Sequence, residues 1–600
     1  MLNFNPNDLN EEQKKAIYEE NSILLVACPG SGKTRTLIYK IAFELSKIES
    51  TKKFVIAITY TNSAAEEIKE RVEALGVDTT QLWIGTIHSF CLHWILRPYY
   101  LYLDNLKYGF SVINSYDTER ILSELCLSYK NPRITYWDCG VIARTDKIYL
   151  TCTDTAKHSS LLKIMNDYYT ILAENKQIDF EQILKYSWDL LNENSIISKS
   201  LSNIFSIILI DEYQDTKEIQ YYILAEILKS NYGNTKAFIV GDPNQSIYDS
   251  LGGFPMPKNK LEELLGFELI ALSLDKNYRS SDKIVKYFDY FKVNQNTINA
   301  FGKNKDYQSI ITYNNSVLLD DLIDEISKLI TINIEEYNIS PNDICIVAPH
   351  WIHIGVITRK LMVKHPDLSF DGPGMAPFSR DIDNFWFKVS KLILTEPSPD
   401  IYIRRLRWCN EILKELELLG ININHLSNKS FLKVCNSIKI EENDGLKYLK
   451  LFFSKLFNDL NIDWRSIPCL VNHYDSFFQS SYQKLERLSS EGINGVETLE
   501  NFKKVFKQRD GVTVSTIHGV KGEEYDTVIG FALLDGFVPH FSDSNSDINA
   551  KMILYVLASR ARKKFHLISE KMRGPFNSYN PEGKKPTPHL LEYVYQYDEL

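Results

Sequence analysis

The sequence predicts an α/β protein with two parallel-sheet domains, each carrying a helical insertion. Three observations lead there. Short apolar runs end in polar or Gly-rich turns in two separate stretches: Ser22–Ala27, Phe54–Ile58, Ile207–Ile210 and Ala237–Val240, then Ile344–Ala348, Thr527–Phe531 and Leu567-Ile568. Runs of that length suit strands buried on both faces, and their alternation with helical stretches suits a parallel sheet. From Phe90 to Asn203, and again from Ile401 to Phe506, strand signals give way to helical sequence too long to be a loop. The chain has 600 residues, more than one core holds at roughly 100–200 residues per domain.

The expected division is 1–95 with 201–281 for a split first domain, 96–200 for its helical insertion, 282–400 with 507–600 for a split second domain, and 401–506 for a helical accessory subdomain. Pro/Gly punctuation at Asp371-Gly-Pro-Gly374, Pro397-Ser-Pro399 and Gly574-Pro575 marks joints. No repeat recurs at a fixed period.

Composition excludes several classes. Hydrophobic residues at 44% and charged residues at 24% match soluble globular chains rather than disordered or collagen-like ones. Acids outnumber bases, 77 to 68, for a net charge of −9. A protein that coats nucleic acid by bulk charge is basic, so any such site here is a local groove. Nine cysteines without a CxxC pair fit neither a disulfide scaffold nor a zinc ribbon. The start of the chain lacks a basic segment leading into an apolar run, and the apolar stretch around Asn203–Ile210 is too short to span a bilayer. The expectation is a cytoplasmic protein with no membrane contact.

The strand Ser22–Ala27 runs into Cys28-Pro29-Gly30-Ser31-Gly32-Lys33-Thr34-Arg35. Ala27-x-x-x-x-Gly32-Lys33-Thr34 is a phosphate-binding loop with Ala in place of the first Gly. Gly30 and Gly32 can take positive φ and turn backbone N–H groups toward phosphates, and the following helix presents its N-terminus to the same anion. Lys33 would neutralise the β- and γ-phosphates, and Thr34 would ligate Mg²⁺. The competing reading is a chance Gly-rich turn. The strand Ile207–Ile210 ends in Asp211-Glu212. Asp211 can hold the Mg²⁺ across from Thr34, and Glu212 can polarise the attacking water. A surface acid pair is the bland alternative.

Nine motifs in order make the chain similar to the UvrD/Rep-like branch of superfamily 1 DNA helicases. They are Leu9-Asn-Glu-Glu-Gln13, Ala27–Thr34, Thr59-Tyr-Thr-Asn-Ser-Ala-Ala65, Gly85-Thr-Ile-His-Ser-Phe90, Asp211-Glu-Tyr-Gln-Asp-Thr216, Gly241-Asp-Pro-Asn-Gln-Ser-Ile-Tyr248, Asn277-Tyr-Arg-Ser280, Thr516-Ile-His-Gly-Val-Lys-Gly-Glu-Glu524 and Tyr555-Val-Leu-Ala-Ser-Arg-Ala561. The resemblance implies two RecA-like domains with ATP between them. Within it, Gln13 resembles the adenine-reading glutamine and Tyr278 the aromatic that stacks on adenine. Gln245 resembles the γ-phosphate sensor, Arg279 and Arg560 the two arginines that reach the γ-phosphate, and Glu524 the ribose contact. Ala27 is itself usual in this family. On the polynucleotide side, Tyr60 resembles the base-touching aromatic, and Thr59, Thr61, Asn62, Thr86, His88 and His518 fall in motifs that contact the strand. The competing readings are a core aromatic for Tyr60, a satisfied buried histidine for His88, and a basic solvated helix end for Arg560–Lys564.

Three departures stand out. Where the family has an aromatic followed by Arg-Gly-Ala, the chain reads Ser250-Leu251-Gly252-Gly253, with Phe254 nearby. Ser63 replaces a usual lysine, and the second insertion is short for the family. The implied function is an ATP- and Mg²⁺-dependent translocase on single-stranded DNA and a helicase on tailed DNA, moving 3′ to 5′, of the kind used in DNA repair. The alternative is a DNA-stimulated ATPase sensor subunit that regulates a separate nuclease partner, as in antiviral defence, with weak or no unwinding. A nucleotide-binding scaffold without turnover is disfavoured by the complete set Lys33, Thr34, Asp211, Glu212, Gln245, Arg279 and Arg560.

Overall fold

The computed structural model describes residues 9–230, 234–372, 377–378, 381, 384–399, 401–490, 496–506, 511–541, 543, 545–574 and 583–600. The expected joint residues Pro373, Gly374 and Pro575, and the start of the chain through Asp8, lie outside them.

Strands β1 (Ile23–Ala27), β2 (Phe54–Thr59) and β3 (Leu82–Thr86) precede the first insertion. The antiparallel hairpin β4 (Val141–Ala143) and β5 (Ile148–Leu150) lies within it, and β6 (Phe205–Ile210), β7 (Lys236–Gly241) and β8 (Ile270–Leu274) follow it. The six longer strands form one parallel sheet in the order β8-β1-β7-β6-β2-β3. Their apolar runs split by alternation. Leu24, Ile56, Ile208 and Ile239 enter one core, while Leu25, Val55, Leu209 and Val240 enter another on the opposite face. Burial on both faces is why these strands lack polar alternation. All their carboxyl ends point to one edge, which receives the loops after Ala27, Thr59, Thr86, Ile210 and Gly241. Ligands of open parallel sheets bind at that edge.

Strands β9 (Ile310–Asn314), β10 (Ile344–Ala348), β11 (Phe370–Asp371), β12 (Val512–Thr516), β13 (Tyr525–Gly530) and β14 (Ala561–Ile568) build a second parallel sheet, ordered β9-β14-β13-β10-β12-β11. It too is covered on both faces, with Cys345, Val347 and Phe565 on one and Ile344, Ile346 and Ile529 on the other. The alternative reading of Arg560–Lys564 as a solvated helix end is overturned. The helix stops at Ala558, β14 starts at Ala561, and Arg560 and Lys564 are each only 2% exposed.

The helices that position the site are α1 (Glu11–Tyr18), α2 (Lys33–Ser46) and α3 (Asn62–Ala74) on the first sheet. In the first insertion, α4 (Phe180–Glu193) is amphipathic and buries Ile183, Leu184, Leu190 and Leu191. This insertion is not uniformly helical, since the hairpin and the short pair Ser111–Val112 with Gln177-Ile178 interrupt it. Further on, α5 (Phe385–Leu394), α6 (Tyr402–Leu418), α7 (Gly445–Asp459) and α8 (Pro468–Ser490) share one core around Trp386, whose indole N–H donates to the Leu470 carbonyl at 2.8 Å. That core draws in α5, which precedes the Pro397-Ser-Pro399 punctuation. The basic residues of α5 and α6 meet an acidic face of α3. Lys391 pairs with Glu66 at 2.8 Å, Arg404 is bidentate on Glu70 at 2.6 and 2.5 Å, and Arg407 lies 3.3 Å from Glu73. Glu66, Glu70 and Glu73 are spaced i, i+4, i+7, so one face of α3 carries all three. Among the described residues no helix is long and apolar enough to cross a membrane.

Candidate active site

The phosphate-binding loop takes the form its glycines allow. Gly30 and Gly32 have φ of +65° and +84°. Gly32 caps α2, and a Cβ there would sit 2.7 Å from Gln13 Nε2. At Gly30 a Cβ would meet that of Arg279 at 2.6 Å. Gly30 is therefore required by close approach as well as by conformation, and Gly32 by conformation. Ala27 and Cys28 are buried at the end of β1, where the Cys28 N–H donates to the Leu274 carbonyl at 3.0 Å. The Ser31 hydroxyl donates to the Cys28 carbonyl at 2.7 Å, and the Asn277 side chain donates to the Pro29 carbonyl at 2.7 Å. The loop is thus braced from three sides, with Lys33, Thr34 and Arg35 opening α2.

Gln13 and Tyr278 converge on this loop, 265 positions apart. The Gln13 amide donates to the Ser31 carbonyl at 3.0 Å and completes a capping box with Asn10. Asn10 donates to the Tyr278 hydroxyl at 2.7 Å, and the Tyr278 N–H donates to the Gly30 carbonyl at 2.9 Å. An amide and an aromatic ring beside a phosphate loop can read and stack a purine.

Lys33 bridges to the acidic strand end, with its ammonium 3.0 Å from both Glu212 oxygens. Burial works against the lysine's charge, but Glu212, Asp242 and Asp211 outweigh it and hold its pKa above the ordinary value. Burial also opposes ionisation of Glu212, yet Lys33 and Lys521 hold it well below the carboxylate range. Asp211 goes the other way, pushed up by burial and by Glu212. The backbone at Glu212 is left-handed, φ 52°, which turns its side chain back toward Lys33 while Asp211 continues β6. Left-handed φ in a non-glycine residue is costly and concentrates at working sites.

Across the cleft, Arg560 donates to the Gln245 side-chain oxygen at 2.9 Å, and Gln245 donates to Asp242 at 2.7 Å. Arg279 donates to Glu524 at 2.7 Å and to the Ser559 carbonyl at 2.8 Å. Glu524 also accepts from Arg562 at 3.1 Å. Burial would raise the Glu524 pKa, but the two arginines hold it below its ordinary value.

The polynucleotide candidates sit at the same sheet edge, one strand further along. Tyr60 is 42% exposed and stacks on Tyr248, ring centroids 4.9 Å apart. Beneath them lies a cavity of about 330 Å³ lined in part by Thr59, Thr86, His88 and Asp215. Tyr60 is therefore not a core aromatic. The half-buried His88 ring meets Phe180 edge-on, and its buried Nε2 has no hydrogen-bond partner among the described residues; burial pushes its pKa down to about 4. Thr61 and Thr86 hold helix N-termini with their hydroxyls, accepting from Ala64 and Ser89 N–H, and Asn62 is the first residue of α3. Thr59 donates to the Thr61 carbonyl at 3.0 Å, and a His518 ring nitrogen lies 3.0 Å from the Ile247 carbonyl.

Three residues absent from the sequence-level site join the two halves. Lys521, from the second sheet's side, lies 2.5 Å from Asp215 and donates to the Gln245 carbonyl at 2.5 Å, and its ammonium sits 5.1 Å from the Tyr248 ring centroid. Lys521, Asp215 and Tyr248 all fall inside recognised motifs, but nothing in the sequence shows that they meet.

Two family models match the chain: the UvrD/REP helicase N-terminal domain over residues 9–260 and the UvrD-like helicase C-terminal domain over residues 459–572. The chain belongs to the UvrD/Rep-like family of superfamily 1 helicases. The ATP-dependent DNA helicase PcrA of Staphylococcus aureus is 31% identical over 301 residues, covering 46% of this chain and 39% of that protein. The protein of the same name from Staphylococcus epidermidis is 29% identical over 299 residues with the same coverage. The chain thus spans about two fifths of the length of the curated relatives it matches. As a UvrD/Rep-like protein it carries two RecA-like sheets with the motif residues gathered at their facing edges.

Proposed function

We propose that the chain is an ATP- and Mg²⁺-dependent motor on single-stranded DNA that moves 3′ to 5′ and separates tailed duplex. The observation that carries this reading is Arg560. A guanidinium from the second sheet's side is buried against Gln245 on the first, within electrostatic reach of Glu212 and Asp242. Lys33 and the loop amides would bind the β- and γ-phosphates. Gln13 and Tyr278 would hold the base, and Glu524 the ribose. Gln245, Arg279 and Arg560 would stabilise the transferring phosphoryl group once the cleft closes, and Glu212 would orient the water. Thr34 and Asp211 offer hard oxygen donors of the kind Mg²⁺ takes, and there it would neutralise phosphate charge. Strand order supports the splitting in the division 1–95 with 201–281, 96–200, 282–400 with 507–600 and 401–506, with each sheet drawing strands from both sides of its insertion, while α5 packs with the accessory helices rather than with 282–400.

The test is ATP hydrolysis by the full chain with and without a single-stranded oligonucleotide, followed by strand separation on 3′- and 5′-tailed duplexes. Strong stimulation, with unwinding from the 3′ tail, is the expected result. Hydrolysis indifferent to DNA overturns the motor reading. The second reading, an ATPase sensor that regulates a separate nuclease, draws on one observation: Leu251, at the position where the family resemblance implies an arginine, stands 55% exposed at the cavity rim. DNA-stimulated hydrolysis without strand separation would favour it.

Coupling between the halves is expected to pass through Lys521. Lys521→Met alone strands Asp215 as a buried charge, so it is combined with Asp215→Asn. The double variant should lose most of the ratio of DNA-stimulated to basal hydrolysis. A ratio equal to wild type would remove Lys521 from the coupling path.

A further inference from the structure

We propose that the β4–β5 hairpin of the first insertion is an additional contact for the polynucleotide backbone, with Arg144 and Lys147 binding phosphates beside the mouth of the Tyr60–Tyr248 cavity. The inference rests on the single-strand track proposed above and gives it a specific extension.

The hairpin is fixed to the wall of that cavity. Gly252, at φ +84°, approaches Ile142 so closely that a Cβ there would lie 2.1 Å from the Ile142 Cδ1 atom. The Ala143 N–H donates to Glu181 at 2.7 Å, and Glu181 is paired with Lys217 at 2.5 Å. Lys217 and Leu251 both line the cavity. Just beyond this anchorage the chain turns, with the Arg144 N–H donating to the Lys147 carbonyl at 2.9 Å.

The turn is built to hold cations. The Arg144 guanidinium lies 5.0 Å and the Lys147 ammonium 4.9 Å from the centroid of the Tyr149 ring, and the Tyr149 hydroxyl donates to Asp146. Arg144 and Lys147 are exposed, and among the described residues neither forms an ion pair. A cation resting on a ring face keeps its N–H donors free, unlike one spent on a carboxylate. Two prepositioned cations on a turn anchored to the cavity wall, which outnumber the Asp146 carboxylate between them, have the chemistry of a phosphate contact in a chain of net charge −9. Their hairpin packs through Ile142 on Gly252, the neighbour of Leu251, which supplies no cation of its own.

The experiment is equilibrium binding of a labelled oligothymidylate to the full chain across a salt series, for wild type, Arg144→Ala/Lys147→Ala and Tyr60→Ala. Loss of two phosphate contacts should reduce the slope of log K against log salt by about 1.4, at roughly 0.7 per contact on a single strand, and weaken binding about tenfold or more at low salt. Both residues are exposed, so the fold is not at stake. Tyr60→Ala should weaken binding without changing the slope, because it removes stacking and no charge. If Tyr60→Ala weakens binding while the double variant matches wild type in affinity and slope, the hairpin proposal alone is overturned. Weaker binding of the double variant with an unchanged slope also overturns it. If Tyr60→Ala has no effect, or wild type does not bind, the track reading falls and takes the hairpin with it.

Discussion

Arg560→Ala lowers ATP turnover by about three to five orders of magnitude, the range seen when an arginine that stabilises a transferring phosphoryl group is removed. The expectation follows from what surrounds the guanidinium. Its donors go to Gln245 Oε1, the Ser559 hydroxyl and the carbonyls of Val556 and Glu523, all neutral acceptors. Burial and nearby Arg279 push its pKa down to about 9, which still leaves it charged at neutral pH. A buried cation satisfied by dipoles, with no carboxylate on it, is poised for an anion that arrives later. Arg560→Lys keeps the charge but loses the planar fork that reaches Gln245 and Ser559 together, so its turnover should lie between those of wild type and Arg560→Ala. Single-turnover hydrolysis reads the effect, and binding of a fluorescent nucleotide, together with a thermal melt, separates it from loss of fold. An Arg560→Ala protein with wild-type turnover would remove the arginine from the chemistry.

How much of this was legible in the sequence depends on distance along the chain. The phosphate loop and the acid pair at Asp211-Glu212 are local. Each is a strand, a turn and a few side chains within a dozen residues, and the requirements of backbone and anion are written in adjacent letters. Gln245, Arg279 and Arg560 needed the family resemblance, because nothing local tells an arginine that faces a phosphate from one that faces solvent. The stack of Tyr60 on Tyr248, the contact of Lys521 with Asp215 and the ion pairs between α3 and α6 were not legible at all. They join residues far apart in sequence, and a pairwise contact of that kind leaves no period, spacing or composition behind. The basic helix end stayed open as a competing reading of Arg560–Lys564 for a related reason: alternate residues of a buried strand and of a charged helix end can share the same letters, and only the neighbouring strands β9 and β13 decide between them.

These distant contacts form one connected path. Tyr60 touches Tyr248, Tyr248 lies against Lys521, Lys521 binds the Gln245 carbonyl, and the Gln245 side chain binds Arg560. A base that entered between Tyr60 and Tyr248 would have to open their stack, and Lys521 is the cation that would feel the ring move. The helix that follows Tyr60, α3, is at the same time the one that α5 and α6 grip through Glu66, Glu70 and Glu73. These ion pairs are half-buried, so salt screens them only in part. The accessory helices therefore hold the first sheet's side partly through charge, whereas the cores around Trp386 and Ile208 do not depend on it.

Glu212→Gln should abolish most hydrolysis while sparing nucleotide binding, with a fall in turnover of about 10²- to 10⁴-fold, the usual contribution of a positioned general base. The amide has the shape of the carboxylate, so the left-handed turn at Glu212 and the contact from Gln214 at 2.5 Å can persist in altered form. What is lost is the charge. With it goes the ion pair that holds Lys33 at 3.0 Å, and Lys33 becomes free to meet phosphate unopposed. The substitution therefore separates two roles that the resting pair combines. If Glu212 serves only to park Lys33, Glu212→Gln should bind nucleotide more tightly and still turn over at a rate close to wild type. If it orients the attacking water, binding should be equal or tighter and turnover should collapse, both with and without DNA. Measuring the nucleotide Kd beside kcat on one preparation distinguishes the two, and a Glu212→Gln protein that hydrolyses ATP at the wild-type rate would move the general base to another residue.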